Sequence, residues 1–192
     1  MDKKQARKRP FYKKKRFIIP FLFFVFIVVV SQVSPVEYTG PYGPSSKLID
    51  DVTQYSRITE DELKAIKGEP ATIEPWSIQT KYGKIPAKIL TYDADKAHYE
   101  FVIIDNSVVR ATLYSYQYWV GTDIPFTYNE IEDIKEMFNI IPGEYARTKD
   151  NNINYIISPV NNKIAEVRIV GLDKENKAFD LIKFTYDQRY FS

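Results

Sequence analysis

Fourteen apolar residues in succession, Phe17 to Val30, follow directly on the basic run Lys13-Lys14-Lys15-Arg16, and this junction constrains the chain more than any other feature. Uncharged Ser31, Gln32, Val33, Ser34 and Pro35 carry the stretch on to Val36. It thus reaches about 20 residues, the length a helix needs to cross roughly 30 Å of hydrocarbon. A helix satisfies its own backbone hydrogen bonds in lipid, and Ser and Gln near its end cost little there. Nine of the 27 Lys and Arg lie in the first 16 residues, against one acid, Asp2. The positive-inside tendency keeps such a tail in the cytoplasm and places the residues beyond the span outside.

The expected organisation is a basic cytoplasmic tail (1–16), a transmembrane helix (17–36), a stalk (37–46) and an extracytoplasmic domain (47–192). The cell membrane is the expected location, with a single span. A basic n-region and an apolar h-region also fit a cleaved signal peptide, with Val29-Val30-Ser31 standing in for an Ala-x-Ala site. The uncleaved anchor is the preferred reading. Beyond the tail, 18 bases face 24 acids, so the remainder is acidic. A nucleic-acid-binding domain would concentrate bases on its folded part, and none is expected here; the tail adjoins the bilayer and suits anionic lipid instead. The absence of cysteine excludes disulfides, thiolate metal sites, cysteine nucleophiles and the lipid-modified cysteine of a lipoprotein.

Pro35, Pro41 and Pro44 with Gly40 and Gly43 leave the stalk without regular periodicity. Leu48, Ile49, Val52 and Tyr55 then recur at helical spacing. Thr59-Glu60-Asp61-Glu62-Leu63-Lys64-Ala65-Ile66-Lys67 aligns with Thr127-Tyr128-Asn129-Glu130-Ile131-Glu132-Asp133-Ile134-Lys135 at an offset of 68. Thr59 with Glu62, and Thr127 with Glu130, have the spacing of capping boxes, each followed by an apolar pair, Leu63/Ile66 and Ile131/Ile134. Gly68 and Pro70 stop the first helix, and Pro142-Gly143 follows the second. Alternating segments predict strands over 85–92, 99–104 and 108–118, then 153–157, 163–170 and 181–186, with turns at 93–96, 105–107 and 161–162. The expected fold is α+β: an N-terminal transmembrane helix, then a domain of two helix-plus-antiparallel-strand units (57–120 and 125–190), helices packed on one side of a sheet.

A helix opened by a capping box and closed by Gly68-Glu69-Pro70, then a meander with Tyr99-Glu100-Phe101-Val102 and Ser107-Val108-Val109, resembles two kinds of module. One is the small bacterial envelope module of the SmpA/BamE and beta-lactamase-inhibitor-protein type. The other is the CAP-associated domain of secreted proteins in Gram-positive bacteria. The resemblance covers residues 57 to 115, with a degraded second copy to 186. It implies a non-catalytic binding or assembly module and transfers no catalytic residue. The chain departs from the first family in lacking its lipoprotein cysteine and from the second in lacking an attached CAP enzyme domain.

Candidate sites are few. The lone histidine, His98, stands within five residues of Asp93, Asp95 and Glu100. Without a second histidine, a cysteine or a loop glycine it reads as part of a solvated hairpin rather than a metal site. Asp173-Lys174-Glu175-Asn176 reads the same way. Glu60, Asp61 and Glu62 sit in a helix's first turn, where the dipole stabilises them. No Gly-x-Ser-x-Gly elbow, Walker loop or Gly-x-Gly-x-x-Gly pattern occurs, so catalytic residues, metal and cofactor are expected to be none. The best binding candidate is the strand carrying Tyr114, Tyr116 and Tyr118 on one face and Trp119 on the other, since phenolic rings suit a protein or glycan partner. The competing reading packs that face under a helix. The function expected is a non-enzymatic module of a bacterial cell envelope that binds an envelope protein or cell-wall glycan. The alternative is a cell-wall hydrolase or hydrolase regulator using surface carboxylates.

Overall fold

The computed structural model describes residues 48–80, 83–94, 97–115 and 126–191. The tail, the apolar span and the stalk lie outside the described residues. Among the described residues no helix is long and apolar enough to cross a membrane.

Eight strands form one antiparallel sheet: β1 (Thr72–Thr80), β2 (Gly83–Ala94), β3 (Ala97–Ile104), β4 (Ser107–Ser115), β6 (Thr148–Asp150), β7 (Asn154–Ile157), β8 (Glu166–Val170) and β10 (Leu181–Thr185). Their order is β1-β2-β3-β4-β10-β8-β7-β6. Two further strands, β5 (Phe126–Thr127) and β9 (Ala178–Phe179), pair by themselves. The helices are α1 (Glu60–Lys67) and α2 (Ile131–Met137), and Val52–Tyr55 is a 3-10 turn where an amphipathic helix was expected.

This corrects the expected α+β class. Strands take up 47% of the described residues and helices 17%, so the domain is mainly an antiparallel sheet with a minor two-helix part. The difference arises at strands that alternation does not reveal. β1 carries Pro75, which reads as a strand breaker, yet β1 is an edge strand whose open side needs no N–H at that position. β6 is three residues long and wholly exposed, so it shows no alternation. Instead of separate units, one continuous sheet runs through the pairing of β4 with β10, Ile182 opposite Leu113 and Phe184 opposite Ala111.

Local chemistry explains the ends of these elements. The Thr59 hydroxyl accepts from the Glu62 N–H at 3.2 Å, and a Glu62 carboxylate oxygen takes the Thr59 N–H at 2.8 Å, closing a capping box. Gly68, at φ +84°, ends α1, its N–H donating to the Lys64 carbonyl. The second helix starts later than its expected box: Thr127 lies in β5, and the Asp133 carboxylate accepts from the N–H groups of Asn129 (2.9 Å) and Glu130 (3.1 Å). It also stops before Pro142-Gly143, because Asn139 takes a left-handed φ of 52° while the Ile140 N–H reaches back to the Lys135 carbonyl. Asp105 and Asn106, at φ 49° and 59°, form the two-residue turn between β3 and β4. Thr59→Ala is expected to lower stability by about 1 kcal/mol, read as a shift in the urea midpoint. An unchanged midpoint would mean that water caps α1 equally well.

One face of the sheet builds the core from Leu90, Phe101, Ala111, Leu113, Val167, Ile169, Ile182 and Phe184, with Leu63 of α1 and Ile134 and Met137 of α2 packed into it. Ile66, the expected partner of Leu63, is instead 45% exposed. Tyr55 and Tyr186 are fully buried in the same core. A smaller cluster of Ala87, Ile104 and Val109 receives Tyr190 and Phe191 from the C-terminal segment.

Candidate functional site

Strand alternation sets the opposite face of the sheet. If Leu113, Ala111, Ile182, Phe184, Ile169 and Val167 point into the core, then Tyr114, Thr112 and Arg110 of β4, Lys183 and Thr185 of β10, and Arg168 and Glu166 of β8 point the other way. The register arranges them in rows. Glu100, Thr112, Lys183 and Arg168 stand side by side across β3, β4, β10 and β8, and Val102, Arg110, Thr185 and Glu166 form the row next to it.

At one end of this face lies a polar cluster. His98 is directly opposite Tyr114 on β4 and Asp93 on β2. Its Nδ1 lies 2.8 Å from an Asp93 carboxylate oxygen and its Nε2 4.0 Å from Glu100. The Tyr114 hydroxyl donates to the other Glu100 oxygen at 2.8 Å, and the Tyr114 and His98 rings lie 5.8 Å apart. His98 is only 4% exposed, which corrects its reading as part of a solvated hairpin. Burial requires polar partners for an imidazole, and Asp93 is the acid its strand register supplies.

At the other end lie cations. The Lys183 ammonium is half-buried, and none of the described residues gives it a hydrogen bond or ion pair. Burial holds its pKa below the usual lysine value, with the charges of Arg110 and Arg168 adding to the effect and Glu100 opposing it. Burial also pushes Arg110 down to about 10, with Glu166 opposing and Arg168 adding to the shift. The Arg110 guanidinium lies 3.4 Å from the Phe191 ring centroid and donates through Nε to the Thr185 hydroxyl at 3.3 Å. Arg168 pairs with Glu166 at 3.0 Å.

Of the four residues the sequence singles out, Tyr114 lies on this outer face, away from the helices. Tyr116, Tyr118 and Trp119 lie outside the described residues. Sequence reasoning missed Arg110, Arg168 and Lys183. It also missed Trp76, 54% exposed on edge strand β1 in a shallow groove with Pro75, Ser77, Lys84 and Pro86. Among the described residues no three His, Asp or Glu side chains come together as a metal site would need.

No family model matches the chain, and no curated protein sequence is similar to it. Among solved structures, the chain is similar to a cysteine-rich secretory protein from Staphylococcus aureus, at 8% identity and a TM-score of 0.41, over 74% of this chain and 51% of that one. It is also similar to an extracellular protein containing an SCP domain from Bacillus anthracis, at 15% identity and a TM-score of 0.41, over 77% of this chain and 49% of that one. The chain thus spans about half the length of each. Both neighbours are SCP/CAP-domain proteins of Gram-positive bacteria, as in the CAP-associated part of the resemblance; neither is of the SmpA/BamE or beta-lactamase-inhibitor-protein type.

Proposed function

We propose that the chain is a non-enzymatic binding or assembly module of a bacterial cell envelope, anchored by residues 17–36 with its sheet domain outside the membrane, and that the outer face of the sheet is its contact surface. The observation that carries this reading is the division of the sheet: one face is spent on the core, and the other presents Tyr114, Glu100, Thr112, Lys183 and Arg168 in register. An antiparallel sheet is well suited to such one-sided use. Tyr114 supplies an aromatic face with its hydroxyl already oriented by Glu100. A hydrolase working through two carboxylates would need them free and facing each other across a cleft. Glu60, Asp150, Glu166 and Asp187 are each held in an ion pair with a lysine or arginine.

Two measurements test the proposal. Because the chain has no cysteine, Glu144→Cys in an exposed loop gives the full-length protein a single thiol. Labelling of intact cells by a membrane-impermeant maleimide is expected; labelling only after lysis would overturn the topology. Full-length protein in detergent is then offered to purified cell-wall polymer and to solubilised envelope proteins. Retention is expected to fall sharply with Tyr114→Ser while the melting temperature holds. Unchanged retention would remove this face from the reading.

A further inference from the structure

We propose that Arg110, Lys183 and Arg168 form a binding site for a phosphate group on the outer face of the sheet. The inference rests on the reading of that face as the contact surface and names the chemistry its cationic end would take. The three residues come from β4, β10 and β8, which are far apart in sequence and adjacent in the sheet. Lys183 is directly opposite Arg168, and Arg110 is opposite Thr185, two residues along the same strand as Lys183. Strands lie about 4.8 Å apart, so all three long side chains can reach one oxyanion.

Like charges on adjacent strands repel, and the usual remedy is an interleaved acid. Three acids share this face, and all are engaged. Glu166 accepts from Arg168 Nη2 at 3.0 Å, and Glu100 accepts the Tyr114 hydroxyl at 2.8 Å. Asp93 lies at the far end, against His98. That leaves the Lys183 ammonium and the Arg110 Nη groups without a hydrogen bond or ion pair to any described residue. Half-burial of Lys183 and the stacking of Arg110 on Phe191 hold these donors in place before any ligand arrives. Two guanidinium forks and one ammonium offer more donors than one carboxylate can accept, and they match the oxygens of a phosphate. Arg110 and Lys183 are partly buried, which favours a single phosphate group over a flat lipid surface, against which bases protrude.

The test titrates full-length protein in a non-ionic detergent, at low ionic strength, with inorganic phosphate and separately with glycerol phosphate, by calorimetry. Saturable binding is expected, weakened about tenfold or more by Lys183→Met and largely retained by Lys183→Arg. Arg168→Gln, which keeps an amide donor for the largely buried Glu166, is expected to weaken it as well. Equal affinity for both probes identifies the phosphate itself as the ligand, and tighter binding of glycerol phosphate identifies a phosphate ester on a polymer or headgroup. The melting temperature of Lys183→Met is expected to hold or rise, because a half-buried unpaired charge has been removed; a fall would mark Lys183 as structural and overturn its role as a held-ready ligand group. Absence of saturable binding to either probe, or wild-type affinity in both Lys183→Met and Arg168→Gln, would also overturn the site. Failure here leaves the wider reading to its own assay, because retention through Tyr114 is measured separately.

Discussion

Phe184→Ala is expected to lower the stability of the folded domain by about 3–5 kcal/mol, a large share of the roughly 5–15 kcal/mol that a domain typically has. Phe184 is fully buried in β10, between Ala111 of β4 and Val167 of β8. Its ring lies 5.5 Å from that of Phe138, just past the end of α2. It therefore packs the line where strands from the two ends of the chain meet and ties the second helix to that line. Ala111 is too small to fill the space left behind, and β10 is hydrogen-bonded on both sides, so the backbone cannot close the gap. Urea unfolding should show a lower midpoint at constant slope. A loss below about 2 kcal/mol would mean that the site collapses around the substitution and that β4–β10 is not the mechanical centre of the sheet. Ile182→Val on the same strand, removing one methylene, should cost only about 1 kcal/mol.

The elements that sequence reasoning found are those whose signals are local. The Thr59 cap, the Gly68 stop and the Asp105-Asn106 turn are each decided within a few residues, and each lies where the spacing put it. A bulge at Val102/Ile103, by contrast, shifts the β3–β4 register and places Val109 in the smaller cluster, apart from Ala111 and Leu113. The failures depend on neighbours. Pro75 argues against a strand until β1 is known to be an edge. Thr127 carries the same spacing to Glu130 as Thr59 does to Glu62, but pairing of β5 with β9 draws it into a strand and leaves Asp133 to serve the helix start. Each miss conceals a strand or shortens a helix, and together they shift the domain from α+β to mainly β.

The candidate surface shows the same division. Tyr114 was legible because β-alternation alone gives it a face. Arg110, Lys183 and Arg168 also alternate with core residues within their own strands, so each could have been assigned to an outer face. Nothing local shows that β10 inserts between β4 and β8, and only that insertion makes neighbours of positions 110, 168 and 183. His98 is a further case. Its acids were visible in the sequence, but the burial that turns them from solvated charges into partners comes from the packed sheet.

Raising the pH should destabilise the protein through two tyrosines, and the expected slope is steep enough to measure one residue at a time. Tyr55 and Tyr186 are 1% and 0% exposed. The Tyr55 hydroxyl donates to both Asp50 oxygens, at 3.0 and 2.9 Å, and the Tyr186 hydroxyl to the Val52 carbonyl at 2.8 Å. Burial raises both pKa values far above the ordinary phenol, and the Asp50 carboxylate adds to the effect on each. The unfolded chain releases these protons near pH 10, whereas the folded chain holds them. Their contribution is therefore complete below about pH 10 and lost as pH rises toward the folded values, at about 1.4 kcal/mol per pH unit for each tyrosine. Lys183 and Arg110, whose pKa values are lowered, work in the opposite direction over part of that range, so the informative quantity is a difference between variants. Tyr55→Phe and Tyr186→Phe should each cost about 1–3 kcal/mol at neutral pH through the lost hydrogen bond. Above about pH 10, each should also flatten the fall in stability by about 1.4 kcal/mol per pH unit. Urea melts taken at intervals from neutral to alkaline pH supply both numbers. Parallel curves for wild type and variants would mean that these phenols ionise in the folded protein, and that the core around Val52 admits water.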